Sequence, residues 1–218
     1  VGRFTSPDSM VSQINRGIVD MIGAARPSIA DPFLPKKIEE GRFEDIRECI
    51  GCNICYAGDQ SGTPIRCTQN PTMGEEWRRG WHPENLPEKK SDKSFLIVGA
   101  GPAGLEAAHA LGKRGYKVIL SEQRNVLGGR VKLESSLPTL NEWVRVKDYR
   151  EQQFLKLPNV EVYLNSEINA EDALLAEVDH IVIATGSKWR RDGFGRSNLL
   201  GINNFNTLKN IFTPDDIM

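Results

Sequence analysis

The sequence predicts an α/β protein built from three successive stretches, and three observations carry that expectation. From residue 95 onward, apolar strand-like runs alternate with helical ones. Residues 44–92 lose periodicity and collect Gly, Pro and all four cysteines. The first 43 residues read as helix, strand, loop and helix, in the manner of the β/α units of a barrel. The expected domains are therefore 1–43, 44–92 and 93–218.

In the first stretch, Ser6 can cap a helix that has Pro7 at its first position, and Met10, Val11, Ile14 and Ile18 then recur at helical spacing. "VDMIG" at 19–23 reads as a short buried strand. "AARPSIADPFLPKKIEEGR" reads as a polar loop and a short helix whose end Gly41 marks. Produced alone, residues 1–40 would leave apolar faces open. The middle stretch is too long for an unsupported loop in a compact domain, which points to organisation by a ligand. In the third stretch "SFLIVGAG" is a buried strand, "PAGLEAAHALGKRG" a helix closed by Gly115 and "YKVILSE" a second strand. Residues 140–157 are helical, with Trp143, Val146 and Tyr149 on one face, and "VEVYL" and "HIVIATG" supply two further strands. These strands predict a parallel sheet.

With 39% hydrophobic residues, 26% charged residues and a formal net charge of -1, the chain has globular composition and no field that would draw it to nucleic acid or an anionic membrane. No apolar run approaches the roughly 18 residues needed to span a bilayer. A soluble, cytoplasmic protein is the expectation. The chain opens on Val1 and closes on "FTPDDIM", so it reads as part of a longer protein.

Cys49, Cys52 and Cys55 recur every third residue, and Cys67 follows. Three thiolates at that repeat can reach three corners of a cubic cluster, with a more distant fourth closing the cage. Three other readings compete with that one. Disulfides need an oxidising compartment and suit this spacing poorly. Structural zinc more often takes two separated pairs. Unliganded thiols are usually buried singly. The repeat fits a [4Fe-4S] cluster best.

Gly99, Gly101 and Gly104 stand directly after a strand and at the start of a helix. Gly99 permits the tight turn, Gly101 lets backbone approach a pyrophosphate, and Gly104 lets helix and strand pack closely. The helix N-terminus offers free N–H groups to phosphate. Glu122 ends the second strand, 18 residues past Gly104, where a carboxylate can accept from ribose hydroxyls and disfavours a 2'-phosphate. Ala103 and Gln123 flank these positions. "LGGR", with Gly129 and Arg130, and "ATG", with Thr185 and Gly186, recur in two-dinucleotide flavoproteins and shift the ligand from NAD towards FAD or its ADP half. The third stretch thus reads as a Rossmann-like dinucleotide-binding domain.

The order of "RECIGCNIC", "RCTQNPTMGEEWRRGWHPE" and the Gly-rich domain resembles the trimethylamine dehydrogenase family, with its dimethylamine and histamine dehydrogenases, N-methylproline demethylases and bacterial 2,4-dienoyl-CoA reductases. That resemblance implies an Old Yellow Enzyme-like TIM barrel carrying FMN, of which this chain would begin at the seventh strand. It places Arg3 and Arg26 at the FMN phosphate beside Gly2, Gly23 and Ala24, in keeping with barrel phosphate sites after strands 7 and 8. It implies oxidation of a small amine or N-methyl substrate at FMN, electron passage through the cluster to an electron-transfer flavoprotein-like acceptor, a homodimer in full-length form, and catalytic residues upstream of Val1. One departure is Arg145, which stands where the family's acceptor-docking tyrosine would be and leaves the acceptor open. Two other readings remain at this point: an NADPH-dependent dienoyl-CoA or enoyl reductase, and a non-catalytic electron-transfer module. His82, His109 and His180 receive no chemical role.

Overall fold

Strands pair only where a neighbour offers a ladder, and that rule decides which apolar runs of this chain become sheet. The computed structural model describes residues 4–80, 82, 84–195 and 197–218, without the side chains of Arg78 and Arg79. Its helices before the sheet are α1 (Pro7–Asn15), α2 (Ala25–Ala30), α3 (Leu34–Glu39), α4 (Ile54–Gln60) and α5 (Glu76–Arg79). After them come β1 (Ser94–Val98), α6 (Pro102–Lys113), β2 (Lys117–Ser121), α7 (Arg130–Glu134), α8 (Arg145–Phe154), β3 (Val160–Tyr163), α9 (Ala170–Leu175) and β4 (His180–Ile183).

The four strands form one parallel sheet in the order β3-β2-β1-β4. Its two central strands carry the core: Leu96, Ile97, Val118 and Leu120 are buried, and Leu105 and Ala108 of α6 join Ile97, Val118 and Leu120 in one cluster. Small residues set the closeness of that packing. A Cβ on Gly112 would lie 2.4 Å from Val160 Cγ2, and one on Gly104 would lie 1.9 Å from the Gly99 carbonyl oxygen. The left-handed Gly115 (φ 90°) turns the chain out of α6 into β2. The edge strands are less covered, and Val162, Tyr163, Ile181 and Ile183 are exposed.

The first stretch departs from expectation in three places. Residues 19–23 form no strand, because no described segment lies alongside to complete a ladder. Residues 25–30, read as polar loop, close into α2. Ala and Arg favour helix and Pro27 falls in the first turn, where its missing N–H costs nothing. Ser6 occupies the cap position of α1 in extended backbone, but its side chain makes no capping bond; instead Ser9 Oγ donates to the Ser6 carbonyl at 2.8 Å. Met10 is buried with Leu34 and Ile46, whereas Val11, Ile14 and Ile18 lie exposed. Gly41 does end α3, with φ 68° and its N–H on the Ile38 carbonyl. Residues 140–157 divide into a 3-10 turn at Asn141–Val144 and α8.

The irregular middle stretch is pinned by buried charge. Lys37 Nζ reaches Asp31 Oδ2 at 2.6 Å, the Asp45 carbonyl at 2.6 Å and Glu84 Oε1 at 2.9 Å. Both side chains of the Lys37–Asp31 pair are 0% exposed. The Arg47 backbone N–H donates to Asp31 Oδ2 at 2.9 Å, and its guanidinium to Glu84 Oε1 at 2.5 Å. Lys113 of α6 joins Glu84 at 3.3 Å. One network therefore ties α3, the entry to the cysteine segment, the linker and the sheet domain. Arg150 of α8 extends the contact, reaching Glu106 Oε2 at 2.7 Å and Gln69 Oε1 at 3.0 Å.

Burial alone would raise the Glu84 carboxyl, but Arg47, Lys37 and Lys113 outweigh it and hold the group at about 2 against an ordinary 4.5. A carboxyl depressed on folding contributes stability that is fully present above 4.5 and lost as pH falls through about 2. Denaturant unfolding followed from pH 5.5 downward is expected to show stability falling across that window. Glu84→Gln should be less stable at neutral pH by about 1–3 kcal/mol and lose part of the acid dependence. An unchanged acid profile in that variant would remove Glu84 from the account.

Candidate functional site

The C-terminal ends of β1 and β2 open onto a cavity of about 980 Å³. Gly99 (φ 99°) makes the turn out of β1, and a Cβ there would sit 2.5 Å from the Ala184 carbonyl oxygen. Gly101 caps α6, and a Cβ on it would meet nothing within 4 Å. That open space faces the cavity, at a helix N-terminus whose free N–H groups suit phosphate. Gly129 (φ 53°) brings the second Gly-rich turn against the first, with its would-be Cβ 3.0 Å from Gly101 Cα.

Of the residues expected at a nucleotide, Gly99, Gly101, Glu122 and Gln123 line this cavity, as do Gly129, Arg130, Thr185 and Gly186. Ala103 is exposed on the first turn of α6, and Gly104 is buried under the Gly99 turn, where it acts through packing. Glu122 has a duty that its spacing did not reveal. Its Oε2 accepts from the Ala100 N–H at 2.8 Å and its Oε1 from the Arg124 N–H at 3.0 Å, so the carboxylate also braces the Gly-rich turn. Each oxygen keeps a lone pair for a ribose hydroxyl. Arg130 is engaged by Asp215 and by the Ser187 carbonyl at the cavity rim. Lys188, two residues past Gly186, and Asp215 also line the cavity, and no local motif marks Asp215 because it arrives from a distant segment.

The cysteines lie on the other side of the same wall. Gly51 (φ 70°) and Asn53 (φ 59°) take left-handed backbone between them, curling the loop so that Cys55 enters the first turn of α4. All four thiols are partly buried and none is in a disulfide. Backbone donors face the sulfurs: the Gly51 N–H reaches Cys49 Sγ at 3.4 Å, and those of Asn70 and Gln69 point at Cys67. Cys52 Sγ lies 3.2 Å from Thr68 Oγ1. Burial pushes the Cys49 and Cys67 thiols up, and the N–H donors oppose it. Among the described residues no three His, Cys, Asp or Glu side chains converge to hold a single ion.

A second cavity, of about 430 Å³, is lined by Thr5, Arg26, Cys49, Cys52, Leu140 and Trp143 among others. Ile50, Cys52 and Trp143 line both cavities, so the cysteine loop is their shared partition. Ile50, Val131 and Val146 pack into a small apolar core behind it, with Cys52 and Trp143 against them. Arg26 meets Asn53 Oδ1 on the loop. Gly23 and Ala24 immediately precede α2, and Ala24 packs on the Met10 and Leu34 core. Gly2 and Arg3 lie outside the described residues. Burial keeps His109 low, edge-on to Tyr149 and 3.8 Å from Glu106. Among the described residues no helix is long and apolar enough to cross a membrane.

Comparison with known proteins finds a family match at each end of the chain. Residues 93–215 match the pyridine nucleotide-disulphide oxidoreductase family, and residues 1–45 match the NADH:flavin oxidoreductase / NADH oxidase family. Dimethylamine dehydrogenase from Hyphomicrobium sp. (strain x) is 47% identical over 100% of this chain and 30% of its own length. The structure of histamine dehydrogenase from Rhizobium sp. 4-9 superposes with a TM-score of 0.86 at 58% identity, over 92% of this chain and 29% of that one. The 6-hydroxypseudooxynicotine amine oxidase of Pseudomonas geniculata N1 gives a TM-score of 0.90 at 55% identity, over 99% of this chain and 32% of that one. The chain thus spans about 30% of the length of the dimethylamine dehydrogenase it matches.

The two glycines of the fingerprint should separate binding from folding. Gly104→Ala forces a Cβ onto backbone and is expected to cost about 3 kcal/mol or more, as overpacking does. Gly101→Ala should unfold within about 0.5 kcal/mol of the parent yet retain several-fold less nucleotide. Denaturant titration and nucleotide release assays read the two effects. Equal losses of stability would contradict the assignment.

Proposed function

Because the chain belongs to the pyridine nucleotide-disulphide oxidoreductase family, we propose that it forms the cluster-bearing and nucleotide-binding part of an iron–sulfur flavoprotein that dehydrogenates a small amine. The observation that carries this reading is the cysteine loop acting as a partition between the two cavities. In support stand the donor set of four partly buried thiols with backbone N–H groups aimed at sulfur and the 47–58% identity to amine-oxidising proteins. Those identities favour the amine reading over the enoyl reductase alternative.

Cys49, Cys52, Cys55 and Cys67 would hold a [4Fe-4S] cluster. Gly2, Arg3, Gly23, Ala24 and Arg26 would meet the phosphate of FMN, and the Gly-rich cavity would take ADP or FAD. When bound, the flavin supplies net hydride acceptance from the amine and the cluster supplies one-electron steps. The chain's own residues prepare for this in three ways. The N–H groups of Gly51, Gln69 and Asn70 offset thiolate charge. Partial burial of the cysteines limits water at sulfur. The α6 N-terminus and the braced Glu122 orient a nucleotide by its phosphate and its ribose. An electron-transfer flavoprotein-like acceptor and a homodimer of the whole protein complete the proposal.

Anaerobic purification of the intact protein is expected to yield a coloured species with about four irons and four acid-labile sulfides, together with released FMN and either ADP or FAD. Cys67→Ser should lose most of the iron while keeping the nucleotide. A colourless protein that contains zinc or no metal would overturn the reading.

A further inference from the structure

Arg145, at the first position of α8, makes four contacts around the first cysteine of the loop. Its Nε meets Glu48 Oε2 at 2.9 Å, and its Nη2 meets Glu142 Oε2 at 2.7 Å. Its Nη1 reaches Thr5 Oγ1 at 3.0 Å and the Cys49 carbonyl at 3.5 Å. Thr5 precedes α1, Glu48 is the residue before Cys49, and Glu142 lies in the turn that leads into α8. One guanidinium thereby joins the first stretch, the cysteine segment and the sheet domain. A planar fork with five donors can do this where a lysine ammonium cannot cover all four acceptors. The side chain is 23% exposed and that of Glu48 is 24% exposed, so solvent screens the ion pair only in part.

We propose that Arg145 is a positioning residue for Cys49, and that the Arg145–Glu48–Glu142 triad sets the charge balance against which the metal centre of the loop is reduced. The proposal rests on the cluster reading given above. Reduction adds one electron and one negative charge beside Cys49, with no proton exchanged by Arg145. The triad carries one cation against two carboxylates. Removing the cation leaves Glu48, the residue before Cys49, and Glu142 uncompensated, which disfavours the added electron. Removing the Glu48 charge instead favours it. Arg26, bonded to Asn53 of the loop, is a second cation near Cys49 and stays constant in this comparison.

The test is an anaerobic potentiometric titration of the intact, cluster-loaded protein, with dithionite as reductant, ferricyanide as oxidant and electron paramagnetic resonance as readout. Arg145→Gln is expected to shift the reduction equilibrium several-fold to tenfold towards the oxidised form, where tenfold corresponds to about 59 mV for one electron. Glu48→Gln should shift it the opposite way. The Arg145→Gln/Glu48→Gln double variant restores the net charge of the triad and should return near the parent, whereas Arg145→Lys, which keeps the charge but cannot cover all four acceptors, should recover only part of the shift. Shifts of the same sign in both single variants, or a Glu48→Gln midpoint within twofold of the parent, would overturn the proposal. If Arg145→Gln fails to keep its iron, Glu48→Gln carries the test alone. A parent without iron overturns the cluster reading itself, before any variant is titrated.

Discussion

A lysine with no exposed surface is tolerated only where carboxylates and carbonyls complete its shell, and Lys37 is such a residue. Its ammonium is satisfied by Asp31, Glu84 and the Asp45 carbonyl, which come from three separate parts of the chain. Pairing of this kind adds little net stability over an apolar core, but breaking it costs about 3–5 kcal/mol. Its force lies in what it forbids. Any arrangement that withdraws Asp31 or Glu84 leaves a buried charge, so the entry to the cysteine segment and the linker beyond it are held in one register with α3. A stretch with little regular structure of its own thereby acquires a defined path.

The cysteine loop inherits its position from that path and from the packing of Ile50 and Trp143 against α7 and α8. Two polar clasps then fix its two ends. Gln69, just past Cys67, donates to the carbonyls of Glu48 at 3.2 Å and Arg145 at 3.3 Å while accepting from Arg150. Arg145 closes the same circuit from the side of Cys49. The loop is therefore held by side chains at both its first and its last cysteine, and the sulfurs between them follow from left-handed backbone at Gly51 and Asn53.

What the sequence made legible was local chemistry. The spacing of Gly99, Gly101 and Gly104 after a strand encodes both the turn and the closeness of α6, and the structure brings these features together as expected. The cysteine repeat is likewise local, and the structure places Cys49, Cys52 and Cys55 on one curled loop. What stayed hidden depended on partners far along the chain. Residues 19–23 have strand composition but no described neighbour to pair with, and Arg130 is engaged by Asp215, 85 residues away. Glu122 reads from its spacing as a carboxylate for ribose and does line the cavity, whereas its bracing of Ala100 depends on a turn folding back from another strand. Arg145 stood out only as a mismatch, because its acceptors come from three different elements.

The two cavities adjoin where Ile50 and Cys52 of the cysteine loop, together with Trp143, border both compartments. The interval between the two chambers is thus spanned by the residues of that loop and Trp143. Drift in the outer walls could reshape either chamber for a new guest while the interval across the septum stayed constant. A scaffold of this kind can change what each chamber accepts without moving the loop between them.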